Sequence, residues 1–308
     1  MAAEGGRSSQ KEPIMSFSVN TNVGAAAALQ SLSATSRSLQ TTQSRINTGL
    51  NVASTKDDSA SYTIAQNLRS DVSGLSAVSQ SLARAKSVTD VAIAGAEQIS
   101  DILGQLKSKA TQASDAGIDS SSLAALNKDF VALRDQITTI VNASTFNGTN
   151  LLKGNATATG TVSALQSLGG AVTTAGVTTY TPDTLTVANV DLDLGSATAG
   201  AVFENFTATT TISSTANAQT AVGLITDAQA LLNGKLSDLG AASRNIDAQS
   251  VFTSRLNDVV EAGIGNLVDA DLAKESARLQ ALQVKQQLGV QALSIANQAP
   301  QTITQLFR

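Results

Sequence analysis

The chain contains no histidine and no cysteine. The commonest general base and transition-metal ligand is therefore missing, and so are thiolate chemistry and disulfides. Nucleophilic catalysis would have to use a Ser–Lys pair or a carboxylate. One Ser-x-x-Lys exists, Ser8 to Lys11, in a polar Gly/Ser-rich stretch that we read as a chance match. Asp57-Asp58, Asp191-x-Asp193 and Asp269-x-Asp271 have the oxygen chemistry for a hard cation. We read the first and third as helix caps and the second as a solvated strand face. The run from Asp191 also fails the calcium-loop template: Gly195 comes one place early, and Val202 stands where the closing Glu belongs. Gly263-x-Gly265 lacks the third glycine and the preceding strand of a dinucleotide site, and reads as a helix break. Four Asn-x-Ser/Thr triplets start at Asn142, Asn147, Asn155 and Asn205, as a Thr- and Ala-rich chain yields by chance. The Thr/Ser run 207–215 reads as an exposed β edge in preference to a carrier of O-linked sugar. No cofactor, metal or catalytic residue is expected.

Composition points the same way. Charged residues make up 14% of the 308, aromatics 3%, and the net charge is −4. With no Lys/Arg cluster, a nucleic-acid partner is not expected. No run of 18 apolar residues exists, so no membrane span is expected either. So few aromatics argue against a dense globular core, while small residues suit close helix packing. No proline lies between Pro13 and Pro182, which permits long helices there.

The elements follow from the spacing of apolar residues. Residues 1–14 are polar and aperiodic, which reads as a disordered extension or as misannotated sequence upstream of a natural start at Met15. Leu29, Leu32, Leu39, Ile46 and Leu50, with Ser36 and Gln43 between them, keep alternating steps of three and four. That is the heptad spacing of a helix packed on another helix. Gly49 stops it, and Asp57, Asp58 or Ser59 caps the next. There the rhythm runs through Leu75, Val78, Leu82, Ala85, Thr89, Ala92, Ala96, Ile99, Leu103, Leu106, Ala110 and Ala113. A helix over about 59–115 would be roughly 85 Å long. Gly117 ends it, and a shorter helix carries Leu126, Phe130, Leu133, Ile137 and Ile140.

Residues 154–234 hold no Arg or Lys, and 184–195 alternate apolar with polar as a strand does. A small β-rich insertion is expected at 155–215. Helical rhythm returns with Leu224, Ala228 and Leu231, and continues more weakly through Leu236, Leu239, Ile246 and Val260. Beyond Gly265 a last helix carries Leu272, Leu279, Leu282 and Leu293, with Ile303, Leu306 and Phe307 at its end. The expected fold is mainly α, a long antiparallel helical rod or coiled-coil bundle formed by the N- and C-terminal segments, with the β insertion outermost. Four parts follow: the extension 1–14; a terminal domain from 15–58 and 267–308; a rod from 59–154 and 216–266; and the insertion 155–215.

Residues 289–307 hold no charged side chain, yet Gln, Asn, Ser and Thr keep them too polar for a bilayer. A half-apolar helix of this kind gains little when solvated alone. It becomes favourable when its stripe and amides are buried against copies of itself. A self-contact that does not close makes an open helical polymer.

Several stretches resemble one family. FSVNTNVGAAAALQSL (17–32), SLQTTQSRINTGLNVASTKDDSASYTIAQNLRSDVSGL (38–75), FVALRDQI (130–137), FNGTNLL (146–152) and the segment from GIGNLVDADLAKESARLQ (263–280) to Arg308 are similar to bacterial flagellin. The likeness covers 15–153 and 218–308 and is nearest to the short alphaproteobacterial flagellins. The middle segment matches nothing, as the resemblance implies for an outer domain that varies.

The resemblance implies an extracellular structural subunit that self-assembles into the flagellar filament, and no enzyme. The terminal helices would line the filament's inner tube and pack against other copies. Leu29, Leu32, Leu39, Ile46, Leu272, Leu279, Leu282, Leu293, Ile303, Leu306 and Phe307 are the expected packing residues. Leu75, Val78, Leu82, Ile99, Leu103, Leu106, Phe130, Leu133 and Ile137 would form the rod core. Implied partners are other copies, the filament cap, the hook–filament junction proteins, an export chaperone and the flagellar type III export gate, with no cleaved signal peptide. Where many flagellins carry a run like RVRELAVQ for the vertebrate innate receptor, this chain has QLKSKATQ (105–112). Gln105 replaces an Arg and Lys109 a Leu, so weak or no receptor binding is expected. The alternative within the same machinery is the hook–filament junction protein. A signalling coiled coil would need a membrane span, and a hydrolase in the insertion would lack His, Cys, Lys and Arg.

Overall fold

A computed structural model describes residues 22–154, 160–174, 177–196 and 201–306, with side chains left undescribed at 171–180 and 299–306. The expectation for residues 1–14 lies outside these. The chain forms two compact units, Met1–Asn67 with Gly263–Arg308, and Leu68–Ala262. Five helices dominate: α1 (Val23–Thr48), α2 (Ser59–Ala113), α3 (Ser120–Ala143), α4 (Thr215–Val268) and α5 (Leu272–Leu306). The fold is mainly α, with a small β part between α3 and α4.

Helix ends are set by local chemistry. The Asn22 side chain accepts from the Ala25 amide, and Gly49 closes α1 in the left-handed region at φ 73°. The Asp58 carboxylate accepts from the amides of Ala60 and Ser61 at the start of α2, and Asp119 from those of Ser121 and Ser122 at the start of α3. Hydroxyls of Ser121 and Ser122 also donate to Asp119 and hold its carboxyl well below the usual range. Asp271 caps α5 through the Ala273 and Lys274 amides.

In the Leu68–Ala262 unit, all twelve heptad positions of α2 from Leu75 to Ala113 are buried. Phe130 and Ile137 of α3 join them, while Leu133 is only half-buried. The α4 row is Ala218, Ala221, Ile225, Ala228, Leu232, Leu239, Ile246 and Thr253. Leu231, which the sequence reading placed in this row, points outward and its neighbour Leu232 is fully buried. Two adjacent leucines leave the phase open to either, and only the packing chooses.

The β part is two antiparallel pairs, one inside the other. β1 (Val162–Leu165) pairs with β4 (Thr184–Val187), and β2 (Gly170–Thr174) with β3 (Val177–Thr181). The strand expected over 184–195 stops at Val187. Beyond it the chain runs beside 151–152, where the Val190 and Leu192 amides donate to the Leu151 and Leu152 carbonyls. Val190 and Leu192 are buried and Asp191 and Asp193 half-exposed, so the alternation is a real burial pattern outside a sheet strand. Phe206 meets Phe130 of α3 edge-on and Phe203 at a tilt, ring centroids 6.2 and 5.8 Å apart. The sequence reading set 155–215 apart, but its buried side chains belong to the core of the helices. Arg134 of α3, buried, donates to the Thr210 carbonyl at 2.8 Å, and Ser81 of α2 accepts from the Leu165 amide.

Gly263 and Gly265 do not break the helix. α4 passes through both and ends at Val268, where a backbone clasp takes over. The amides of Asn51 and Val52 donate to the Val268 carbonyl, and that of Ala270 to Gly49. Glycine weakens a helix by only about 1 kcal/mol, whereas the clasp consumes the hydrogen bonds a longer helix would use.

Candidate assembly surface

α1 and α5 lie antiparallel in one unit. Arg45 meets Glu275 at 3.3 Å, Gly289 approaches Leu32, and the Asn22 amide side chain donates to the Ala296 carbonyl. A Cβ at Gly289 would come within 3.3 Å of Leu32, so glycine lets the helices approach closely there.

The buried or half-buried row of α1 is Ala25, Ala28, Leu32, Thr35, Leu39, Thr42 and Ile46, in strict three–four steps. Leu32, Leu39 and Ile46 are shared with the row read from sequence. Between them the seam uses Thr35 and Thr42, not Ser36 and Gln43, and Leu29 is left 58% exposed. The facing row of α5 is Glu275, Leu279, Leu282, Gln286, Gly289, Leu293 and Ala296. Leu272 stays outside it, exposed in the first turn. The side chains of Ile303 and Leu306, and the whole of Phe307, lie outside the described residues.

Among the described residues, no apolar side chain of α1 or α5 is fully buried. Only Thr35, Thr42 and Glu275 are. Two helices sharing one thin seam make no core. α5 also carries a second row on its far side. Ala277, Ala281, Val284, Leu288, Gln291 and Ile295 again step by four and three, and all are exposed. Val284, Leu288 and Ile295 are each more than half exposed. Sequence reasoning missed this row, although a second heptad phase offset from Leu279 would have revealed it.

The acidic pairs do ordinary work. Asp57 gathers the Ala53 and Ser54 amides and the Ser54 hydroxyl, and Asp58 caps α2. Asp191 accepts from the Asp193 amide and the Ser196 hydroxyl. Burial and the neighbouring Asp191 charge push the Asp193 carboxyl up. Among the described residues no group of three or more acidic side chains could hold a metal, and no helix is long and apolar enough to cross a membrane. Gln105 is exposed on α2, and Lys109 is held by Asp129 at 2.7 Å.

The family comparisons decide what such helices are. The model for the bacterial flagellin N-terminal helical region matches residues 19–157, and that for the C-terminal helical region matches 222–307. The chain belongs to the bacterial flagellin family. It is 43% identical to Flagellin FljM of Caulobacter vibrioides over 94% of this chain and 98% of that one. A flagellin of Brucella melitensis is 37% identical, covering 94% of this chain and 99% of its own length. A crystal structure of Bacillus cereus flagellin matches 56% of this chain and 87% of that one, with 24% identity and a TM-score of 0.44. Flagellins are structural subunits of the flagellar filament, an extracellular organelle, and not enzymes. α2, α3 and all but the first seven residues of α4 fall within the matched flagellin regions, and β1 to β4 lie between those regions.

Proposed function

We propose that this chain self-assembles into the filament through α1 and α5, whose outward faces become buried between copies. The observation that carries the reading is the second apolar heptad of α5, set opposite the seam to α1. A solvated two-helix pair leaves that row in water, and a polymer removes it. Leu29 and Leu272, exposed in one chain, find their partners in the same way. Terminal segments with so little buried surface are ordered chiefly by assembly, with the ordering entropy offset by the interface.

The remaining parts of the reading rest on family membership. The subunit is exported unfolded through the flagellar type III gate with a chaperone, keeps its N-terminus, and adds beneath the filament cap above the junction proteins. The three-part plan of inner helices, rod and outward insertion belongs to this proposal. So does weak binding to the innate receptor, supported by exposed Gln105 and by a Lys109 already paired with Asp129.

The test is limited proteolysis of sheared, pelleted filaments against heat-depolymerised chain. Cleavage before about 55 and after about 265 in the depolymerised chain, with protection in the pellet, is expected. Resistance of both ends in the depolymerised chain would refute assembly-coupled ordering.

A further inference from the structure

The α1/α5 pair is strongly net positive. Arg37, Arg45, Lys274, Arg278 and Lys285 face a single carboxylate, Glu275, in a chain whose net charge is −4. Three of the five cations converge. Arg37, Arg45 and Arg278 line one cleft of about 350 Å³, together with Ala34, Ser38, Thr41 and Thr42. Glu275 does not line it. It lies beneath, its side chain 8% exposed, bound by an Arg45 Nη at 3.3 Å, with an Arg278 Nη at 3.8 Å.

This arrangement leaves donors over. Arg45 Nε is buried and has no hydrogen-bond partner, and neither has the buried Glu275 Oε2, so the excess at the cleft is chiefly one of charge. Arg37 lines the cleft and makes no ion pair among the described residues. Three guanidiniums against one carboxylate give a surplus of two positive charges. A buried donor without an acceptor is costly, and clustered like charges repel. Both costs are removed by one ligand that accepts hydrogen bonds in several directions and carries about two negative charges. A planar carboxylate satisfies one or two guanidinium forks; a tetrahedral oxyanion has acceptors for three.

We propose that this cleft binds a free divalent tetrahedral oxyanion, of the sulfate or phosphate class. The site is built from residues of one chain, but it exists only where α1 and α5 are paired, and to that extent it rests on the assembly reading. Its occupancy ties Arg37 and Arg45 of α1 to Arg278 of α5, so a bound anion favours the paired form.

The probe is inorganic sulfate, titrated calorimetrically into the full-length chain at constant ionic strength, with sulfate replacing chloride up to about 20 mM. Sedimentation records separately whether the chain is polymeric, so a failure to assemble is not confused with a failure to bind. The expected result is saturable binding of about one sulfate per chain in the low-millimolar range, as partly screened guanidiniums permit. Arg37→Gln and Arg278→Gln, both on exposed residues outside the apolar seam, should each weaken it by about fivefold or more. Acetate should bind more weakly than sulfate. General salting effects grow linearly with concentration and do not saturate. A non-saturating signal, saturation untouched by both substitutions, or acetate binding as tightly as sulfate would each overturn the proposal.

Discussion

Leu288 gives the sharpest test of the outward row of α5. Its side chain is 59% exposed in the single chain. Truncation to alanine removes three carbons, which full burial would make worth roughly 2.4 kcal/mol at about 0.8 kcal/mol each. Only the exposed 59% remains for assembly to bury, leaving about 1.4 kcal/mol per subunit. Leu288→Ala should therefore raise the critical concentration for polymerisation about tenfold, since 1.4 kcal/mol is roughly one decade. The assay is sedimentation of seeded chain over a concentration series, with the pellet–supernatant boundary read for wild type and variant. The melting of depolymerised chain, followed by circular dichroism, should change little, because the side chain is already largely solvated there. An unchanged critical concentration would refute the reasoning. So would a fall in the melting of single chains as large as the loss of assembly, because it would place Leu288 in a core within one chain.

Other consequences are separable from this one. Ile99 is fully buried in the α2 row, so Ile99→Ala should cost about 2–5 kcal/mol in denaturant unfolding of the Leu68–Ala262 unit. Gly95→Ala should destabilise the same unit by about 1–3 kcal/mol, because the new Cβ would collide with Ser144 and come within 2.8 Å of Leu152; urea titration reads it. The Asp119 carboxyl is lowered by its hydrogen bonds in the folded state. Its contribution is present above the unfolded value near 3.8 and lost as pH falls below it, so the melting difference between wild type and Asp119→Ala should shrink in acid. For Asp193 the shift is upward, which penalises the folded state when the group is ionised. Asp193→Asn should raise the melting temperature at neutral pH, and that gain should disappear below about pH 4.

Much of the architecture was legible because it is periodic. The twelve α2 positions could be read one by one, since a long helix without proline repeats the same geometry each heptad. The caps at Asp58 and Asp271 were legible too, because a carboxylate before a helix has nearby amides as its natural partners. The absence of histidine and cysteine, together with the flagellin-like end segments, points to a structural chain from the sequence alone.

What the linear pattern left open was decided by partners distant in the chain. The α1 seam took Thr35 and Thr42 because α5 approaches from that side, and a small-residue helix allows neighbouring phases at nearly equal cost. Leu232 displaced Leu231 for the same reason. The glycines at 263 and 265 stayed helical because the end of α4 is determined by backbone bonds to residues 49–52, some 215 positions earlier. Nor could spacing bring Arg37, Arg45 and Arg278 to one cleft, since that required α1 and α5 to run antiparallel in this register. Local periodicity determines which residues share a helix face; only tertiary packing decides which face is covered, and what remains for another molecule to meet.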